Sequence, residues 1–448
     1  MTVQLGTPAG LRAALDRADV GPQMHALIAD LYPICRSITG NGLRETLRRI
    51  GNHIPLTLHE VPSGTPVLDW TIPREWNIRD GFIATLGGER VVDFQRSNLH
   101  VVNYSAPVTG VIPLNELRER LFTIPDRPEW IPYRTSYYKE DWGFCLTQNQ
   151  LLALNDPAYE VRIDSSLEEG SLTYAECFLP GRSEEEVLVS CHSCHPSLCN
   201  DNLSGIAVAT YLARHLRSFG LRYSYRFLFL PATIGAIAWL ALNEAATRRI
   251  KHGVVLAWVG DRGPSTYKRS RRGNAEIDRA FAHVLHHAAD GSTVVDFSPT
   301  GADERQYGSP GFNLPVGCLM RTPPERFPQY HTSADDLTAV TPESLADSLA
   351  KCVAVFEVLE HNDTYVNRFP KGEPKLGDRG LFRPAGGWVR ARADERALLW
   401  VLNLSDGEHT LLDIAERSGL PFTDVQAAAD VLAEHALIER VGGAEAPL

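Results

Sequence analysis

Four residues at separated points of this 448-residue chain have the chemistry of zinc ligands. His195 and Asp201 lie in the polar run His195-Pro196-Ser197-Leu198-Cys199-Asn200-Asp201-Asn202. Asp261 directly follows Val259-Gly260, and His331 stands in Gln329-Tyr330-His331-Thr332-Ser333. Zinc takes imidazole nitrogens and carboxylate oxygens, usually four ligands, and a catalytic site leaves one position to water or substrate. Each residue alone is a weak signal; a lone His331 reads equally as a surface or capping histidine. Together, each in a polar loop beside a strand or helix end, they predict a metal site.

Such a site needs strands that end beneath it. The apolar run at 187–190 predicts an inner strand leading straight into the His195 loop, and 205–219 predicts the helix that follows. Further strands are expected at 159–163, 172–178, 223–231, 253–259 and 314–319, with helices at 233–246, 275–289 and 342–362. This alternation predicts a layered α/β domain with a mostly parallel sheet. Open sheets of that kind carry their chemistry beyond the carboxyl ends of the strands.

Around this core the period changes. Residues 11–50 read as helices joined by the polar loop 35–42, either a substrate-contacting loop or a turn around a buried arginine. From 55 to 113 the pattern alternates, at 56–61, 81–86 and 100–104, with Gly87-Gly88 as a hairpin turn. The aromatic loop 131–140 either lines a cavity or seals two domains. The expected division is an α/β domain from 1–62 and 141–370, an inserted mainly β module at 63–140, a Gly- and Pro-rich linker at 371–393, and a winged-helix-like domain at 394–448. Helix-turn-helix patterning raises DNA binding. Eleven Asp or Glu against three Arg and no Lys in 394–448 argue against it and favour packing, dimerisation or docking.

Composition narrows the class. An apolar fraction of 44% with 22% charged residues describes a globular protein of more than one domain. The net charge of -11 argues against a general nucleic-acid binder. The longest apolar patch, 227–242, is broken by Pro231 and Gly235, so no membrane span is expected. No basic stretch precedes an apolar run at the start, so a signal peptide is not expected. The eight cysteines do not form a small disulfide framework, and a reducing cytoplasm is the expected setting. Cys191-x-x-Cys194 lacks the second CxxC that a thiolate zinc site would need.

Asp201-Asn202-Leu203-Ser204-Gly205, Val259-Gly260-Asp261 and Tyr330-His331-Thr332-Ser333 resemble motifs of M28-type zinc aminopeptidases. The chain is most similar to a bacterial aminopeptidase-like subfamily with an inserted uncharacterised domain (DUF2172/DUF4910) and a C-terminal winged-helix-like domain. Its markers include Cys35-Arg36-Ser37-Ile38-Thr39-Gly40, Glu75-Trp76-Asn77-Ile78, Trp142-Gly143-Phe144-Cys145 and Asp303-Glu304-Arg305-Gln306-Tyr307. The resemblance implies an α/β zinc-peptidase-like phosphorylase/hydrolase fold. It also implies His195, Asp201, Asp261 and His331 as metal ligands, and leaves His192 as a supporting or exposed residue.

One departure matters. Where M28-type enzymes carry two adjacent glutamates, a general base and a metal ligand, this chain has Ala232 and Thr233. Alanine accepts no proton, and threonine is a poor zinc ligand. One zinc is therefore expected and a second is not. Loss of a general base commonly slows a hydrolase by about two to four powers of ten.

A replacement base is sought among Glu304, Asp303, His192, Glu244 and Asp335, with Glu304 favoured; its bland alternative is an ion pair with a basic neighbour. Arg305, Arg321, Lys268 and Arg269 are candidates for gripping a carboxylate. Tyr137, Tyr138 and Tyr307 are candidates for closing the pocket. Cys199 is a remote candidate nucleophile. The expected partner is a small amide, peptide-like or carboxylate-bearing substrate, with a homo-oligomer also open. The alternatives are a peptidase fold kept as a non-catalytic binding protein, and zinc-assisted biosynthetic acyl or amide chemistry without hydrolysis.

Overall fold

The computed structural model describes residues 10–15, 17–381 and 395–442. Apolar runs without alternation form the centre of an eight-stranded sheet. Glu186–His192 is buried along its whole length, and it pairs in parallel with Ser224–Leu230 on one side and Ile250–Leu256 on the other. Val316–Met320 continues the parallel set beyond Ile250–Leu256. Strands covered on both faces read as continuous hydrophobic runs, which is how these four were legible. Antiparallel strands close both edges: Ser171–Leu179 and Thr57–Pro62 on one, Thr266–Lys268 on the other, with Thr293–Val295 outermost.

Helices cover both faces. Ser204–Leu216 and Pro342–His361 lie with Arg17–Leu31 and Glu276–Ala288 in one apolar layer, and Ile234–Leu242 packs its Trp239 into the other. Gly205 opens Ser204–Leu216, and there a side chain is excluded sterically. A Cβ would stand 2.4 Å from the Leu256 carbonyl oxygen and 2.6 Å from the Asn202 side chain. The helix therefore sits directly on the strand that leads to Asp261.

A second, four-stranded antiparallel sheet has the order Arg90–Asp93, Glu75–Ala84, Ala158–Glu168, Val108–Pro113. The Gly88 turn, with φ of 90°, forms the expected hairpin. One strand lies elsewhere than the expected division suggests. Ala158–Glu168, expected in the α/β domain, carries the pairing of this second sheet out to residue 168. Thr57–Pro62, inside the expected 1–62 part of the α/β domain, is an edge of the main sheet. The stretch 100–104 forms isolated bridges instead of a strand. Its Asn103 side chain donates to the Arg36 carbonyl, and Tyr104 turns to φ of 72°, so the alternation there reflects tethering between units.

The C-terminal unit begins earlier than 394. Thr364–Asn367 is the central strand of a small sheet, between Asp406–Thr410 and Ile438–Arg440. Helices Glu395–Leu404, Leu411–Ser418 and Phe422–Glu434 complete it. Most of the expected linker, from 382 to its end at 393, lies outside the described residues. Acidic residues do the docking. Arg279 of Glu276–Ala288 pairs with Asp413 at 2.6 Å and Glu416 at 2.5 Å. The Phe422 N–H donates to His283 Nε2 at 3.0 Å, so the start of the helix that would read DNA is turned into the α/β domain. Among the described residues no helix is long and apolar enough to cross a membrane.

Candidate metal centre

The chain leaves Glu186–His192 toward a strand on one side and later returns to the other, so the sheet order reverses at this strand's carboxyl end. His192 is its last residue. The following loop is held by donors and acceptors from every side. Arg36 is fully buried and donates from Nε to the His195 carbonyl at 3.0 Å and from Nη1 to the Leu31 carbonyl at 2.6 Å. Burial lowers its pKa to about 10. The polar loop at 35–42 is thus a turn around a buried arginine. The Asn202 amide donates to the Leu256 carbonyl at 3.0 Å, and its oxygen accepts the Trp258 N–H at 3.2 Å. Asp335 accepts the N–H groups of Asn200 and Asp201, a positioning role in place of a catalytic one.

Three ligand-type side chains converge. One ligand atom each of His192, His195 and Asp201 lies within 4.8 Å of the others. His192 Nε2 is 2.8 Å from Asp201 Oδ1, and His195 Nε2 is 3.8 Å from Oδ2. His331 joins from a distant loop, its Nε2 3.0 Å from Asp201 Oδ2. It is placed by the β module: the Tyr133 N–H donates to its carbonyl at 2.8 Å, and the Tyr133 and Tyr330 rings pack on its imidazole. The His331 side chain is 34% exposed and Asp201 only 1%, so the centre opens toward solvent on the His331 side.

The electrostatics suit a cation. Burial disfavours the charged form of Asp201, but His195, His192 and His331 outweigh it and hold the carboxyl well below its usual range. Burial drives His195 down to about 3, so it is neutral, as a metal ligand must be. Burial also pushes His192 down, but the hydrogen bond and charge of Asp201 prevail and its pKa is raised. The Asn202 amide nitrogen lies 3.3 Å from His192 Nδ1, while His192 Nε2 faces Asp201. Asp201 Oδ2 and His331 Nε2 face each other at 3.0 Å outside hydrogen-bond geometry, and Ser193 Oγ, Trp258 Nε1, Asp303 Oδ2 and Arg305 Nε are buried without a partner. Buried polar atoms are almost always satisfied, so this concentration marks a place built for something bound. Two neutralisable imidazoles around an ionised carboxylate, with a third imidazole in reach, fit a zinc ion.

Several expected site residues stand elsewhere. Asp261 is outside the cluster. Its oxygens accept from Gly263 N–H at 2.7 Å, Thr322 Oγ at 2.6 Å, Thr322 N–H at 3.1 Å and the Asn200 amide at 3.1 Å. It braces the Asn200-Asp201 loop, and His192 takes its place among the converging groups. Glu304, the favoured base, is fully buried in an ion pair with Lys268, which also removes Lys268 from substrate binding. Arg321 donates to Asp347 at 2.9 Å and to the Gly263 carbonyl at 2.7 Å. Arg269 donates to the Gly273 carbonyl at 2.8 Å. Tyr307 is buried under the sheet against Ser190, at 2.9 Å. Glu244 starts the short helix Glu244–Thr247, beyond Ile234–Leu242.

The remaining candidates are Asp303, Arg305, Tyr137 and Tyr138. Asp303 is buried, and burial raises its pKa to about 6 against the opposing charge of His192. Arg305 donates to Thr233 Oγ at 3.3 Å. Tyr137 meets the Tyr133 hydroxyl at 2.9 Å, and Tyr138, 47% exposed, lies outside it against Trp70. Burial raises the Cys199 thiol, and all eight cysteines are free, so the nucleophile reading gains nothing. Tyr133, Asn200 and Asn202 were not expected as site residues; the polar flanks of Asp201 and the aromatic loop at 131–138 were their only signals.

Comparison with known proteins agrees with this architecture. Residues 25–362 match the family model described as a domain of unknown function, DUF4910, and 363–440 match a winged helix-turn-helix model. A Clostridium acetobutylicum protein is 51% identical over 424 residues, 95% of this chain and 98% of that one. It is provisionally described as a polysaccharide biosynthesis protein with an aminopeptidase-like domain. A crystal structure from the same organism, provisionally described as a peptidase, superposes with a TM-score of 0.91 at 50% identity, covering 95% of this chain and 98% of that one. A zinc aminopeptidase from Bacillus subtilis shares the fold at 13% identity, with a TM-score of 0.55 over 75% of this chain and 94% of that one. The chain belongs to the DUF4910 family, built on the M28 aminopeptidase fold with a winged helix-turn-helix at its C-terminal end.

Proposed function

We propose that this protein is a zinc-dependent enzyme acting on the amide bond of a small, peptide-like or carboxylate-bearing substrate. One observation carries the reading. Asp201 Oδ2 is buried and held ionised, and among the described residues the groups that face it are imidazole nitrogens, His331 Nε2 at 3.0 Å and His195 Nε2 at 3.8 Å. His192, His195, Asp201 and His331 would hold one zinc ion, which when bound supplies Lewis acidity toward a carbonyl or a water. Ala232 and Thr233 offer no carboxylate for a second.

The surrounding residues divide the remaining work. Asp303, ionised above about pH 6 and acted on by the charge of His192, is the group that accepts a proton in the role Ala232 cannot fill. The hydroxyls of Tyr133 and Tyr330 have pKa values pushed up by burial, so they stay protonated and donate to developing negative charge. Asp335, Asp261, Asn202 and Arg36 hold the loop in register.

A second reading is favoured by Ala232 itself: a fold that keeps its metal and binds its ligand without turnover. The description of the Clostridium relative also suggests a biosynthetic setting, in which the amide belongs to a building block and not to a protein. The discriminating assay loads the full chain with zinc. It then follows turnover of amino-acid amides, short peptides, N-acyl amino acids and N-acetylated amino sugars in parallel. Turnover that requires zinc and vanishes in Asp201→Asn supports the enzyme; stoichiometric zinc without turnover of any class favours the binding protein.

A further inference from the structure

Arg305 is a basic residue of this site that makes no ion pair among the described residues, although the Asp303 charge acts on it at longer range. Lys268 is paired with Glu304, and Arg321 with Asp347. Arg305 makes a single hydrogen bond among the described residues, from Nη2 to Thr233 Oγ at 3.3 Å. No carboxylate oxygen of the described residues lies within 4.0 Å of its guanidinium nitrogens. Its Nε is buried with nothing to donate to. A guanidinium presents five N–H donors in a planar fork, and leaving a buried one unmet is costly.

Its position gives that unmet capacity a meaning. Arg305 follows Asp303 and Glu304 on the helix Glu304–Tyr307, and its one contact is the residue at the second glutamate position of the M28 pattern. Thr233 adjoins Ala232, whose carbonyl accepts the Cys194 thiol at 3.8 Å, and Cys194 Sγ is 3.1 Å from His195 Nδ1, so the segment that holds Arg305 runs beside the metal cluster. Thr233 brings no negative charge to that space; the Asp303 carboxyl acts on Arg305 through charge without pairing with it, and the guanidinium keeps donors open to a ligand. A substrate ammonium group there meets like charge, whereas a carboxylate meets a fork that matches its two oxygens.

We propose that Arg305 is an anion-recognition residue and that the substrate carries a carboxylate near its reacting amide, as an N-acyl amino acid does, in place of a free α-amine. This deepens the amide-enzyme reading and rests on it for the identity of the reacting bond. The carboxylate contact itself does not depend on turnover.

The test uses two probes of similar size and opposite charge, N-acetyl-L-alanine and L-alaninamide. Each is titrated calorimetrically into the full-length chain, metal-free and zinc-loaded. N-acetyl-L-alanine is expected to bind at least about tenfold more tightly than the amide. Arg305→Met should remove that preference with little change in melting temperature, and Arg305→Lys should keep part of it. Equal affinity for the two probes, a preference for the amide, binding of neither, or an unchanged preference in Arg305→Met overturns the proposal. A chain that binds N-acetyl-L-alanine through Arg305 but takes up no zinc would defeat the zinc-enzyme reading alone. A zinc-binding chain indifferent to the carboxylate would defeat only this one.

Discussion

The carboxylate of Asp335 accepts the backbone N–H groups of Asn200 and Asp201, at 2.7 and 2.9 Å, and so fixes the peptide from which the central carboxylate projects. Asp335 is fully buried, and its carbonyl also takes the Cys199 N–H at 2.9 Å. Groups that orient metal ligands commonly change affinity by about 10- to 100-fold when removed. Asp335→Ala should therefore weaken zinc binding by that order, measured by competition with a chromogenic chelator, while every ligand remains. Asp335→Asn retains one acceptor oxygen and should fall between.

Asp303 separates the base from the metal. Asp303→Asn should keep zinc stoichiometry and lower turnover by about two to four powers of ten. The carboxyl accepts protons only when ionised, so kcat/KM should rise with pH through a limb near 6 in the parent chain. That limb should be missing from the residual activity of the variant. A limb that persists in Asp303→Asn would assign it to another group.

Lys268 and Glu304 are 6% and 0% exposed, an ion pair in the core. Removing one partner of such a pair leaves a buried charge and costs about 3–5 kcal/mol, whereas replacing both with apolar groups is often neutral. Lys268→Met should therefore unfold at markedly lower denaturant, and Lys268→Met/Glu304→Leu should recover much of the loss. Equal stability of the single and double variants would contradict the pairing.

Glu357 lies buried beside Arg12, and burial lifts its pKa to about 7 despite that partner. A carboxyl with a folded pKa above its unfolded value binds more protons in the native state. Its contribution is therefore favourable at low pH and is lost as pH rises from about 4.5 through about 7. Glu357→Gln should stabilise the chain relative to the parent at pH 8, by up to roughly 3 kcal/mol. The gain should shrink toward pH 4 in chemical denaturation.

The central strand and the His195–Asp201 loop were legible because their signals are local: an unbroken apolar run, then a polar loop, then a helix whose opening glycine is required by close contact. Which polar side chains turn inward was not local. His192 ends a strand and Asp261 lies in the loop beyond another, but the Asp261 oxygens are taken by Thr322, more than sixty residues ahead along the chain, and by the Asn200 amide. Glu304 meets Lys268 across a sheet edge, and only the folded register reveals that it is neutralised. Ala158–Glu168 alternates buried and exposed positions, as a strand of either sheet would. Its partners, Glu75–Ala84 and Val108–Pro113, are fixed by long-range pairing and not by its own pattern.

The most direct measurement is the zinc content of the full-length chain after loading and gel filtration, by plasma mass spectrometry, in the parent, His195→Ala and Asp201→Asn. One zinc per chain in the parent and loss of zinc in both variants is the predicted result. A metal-free parent, two zinc ions per chain, or stoichiometric zinc retained in Asp201→Asn would contradict a single centre organised on Asp201.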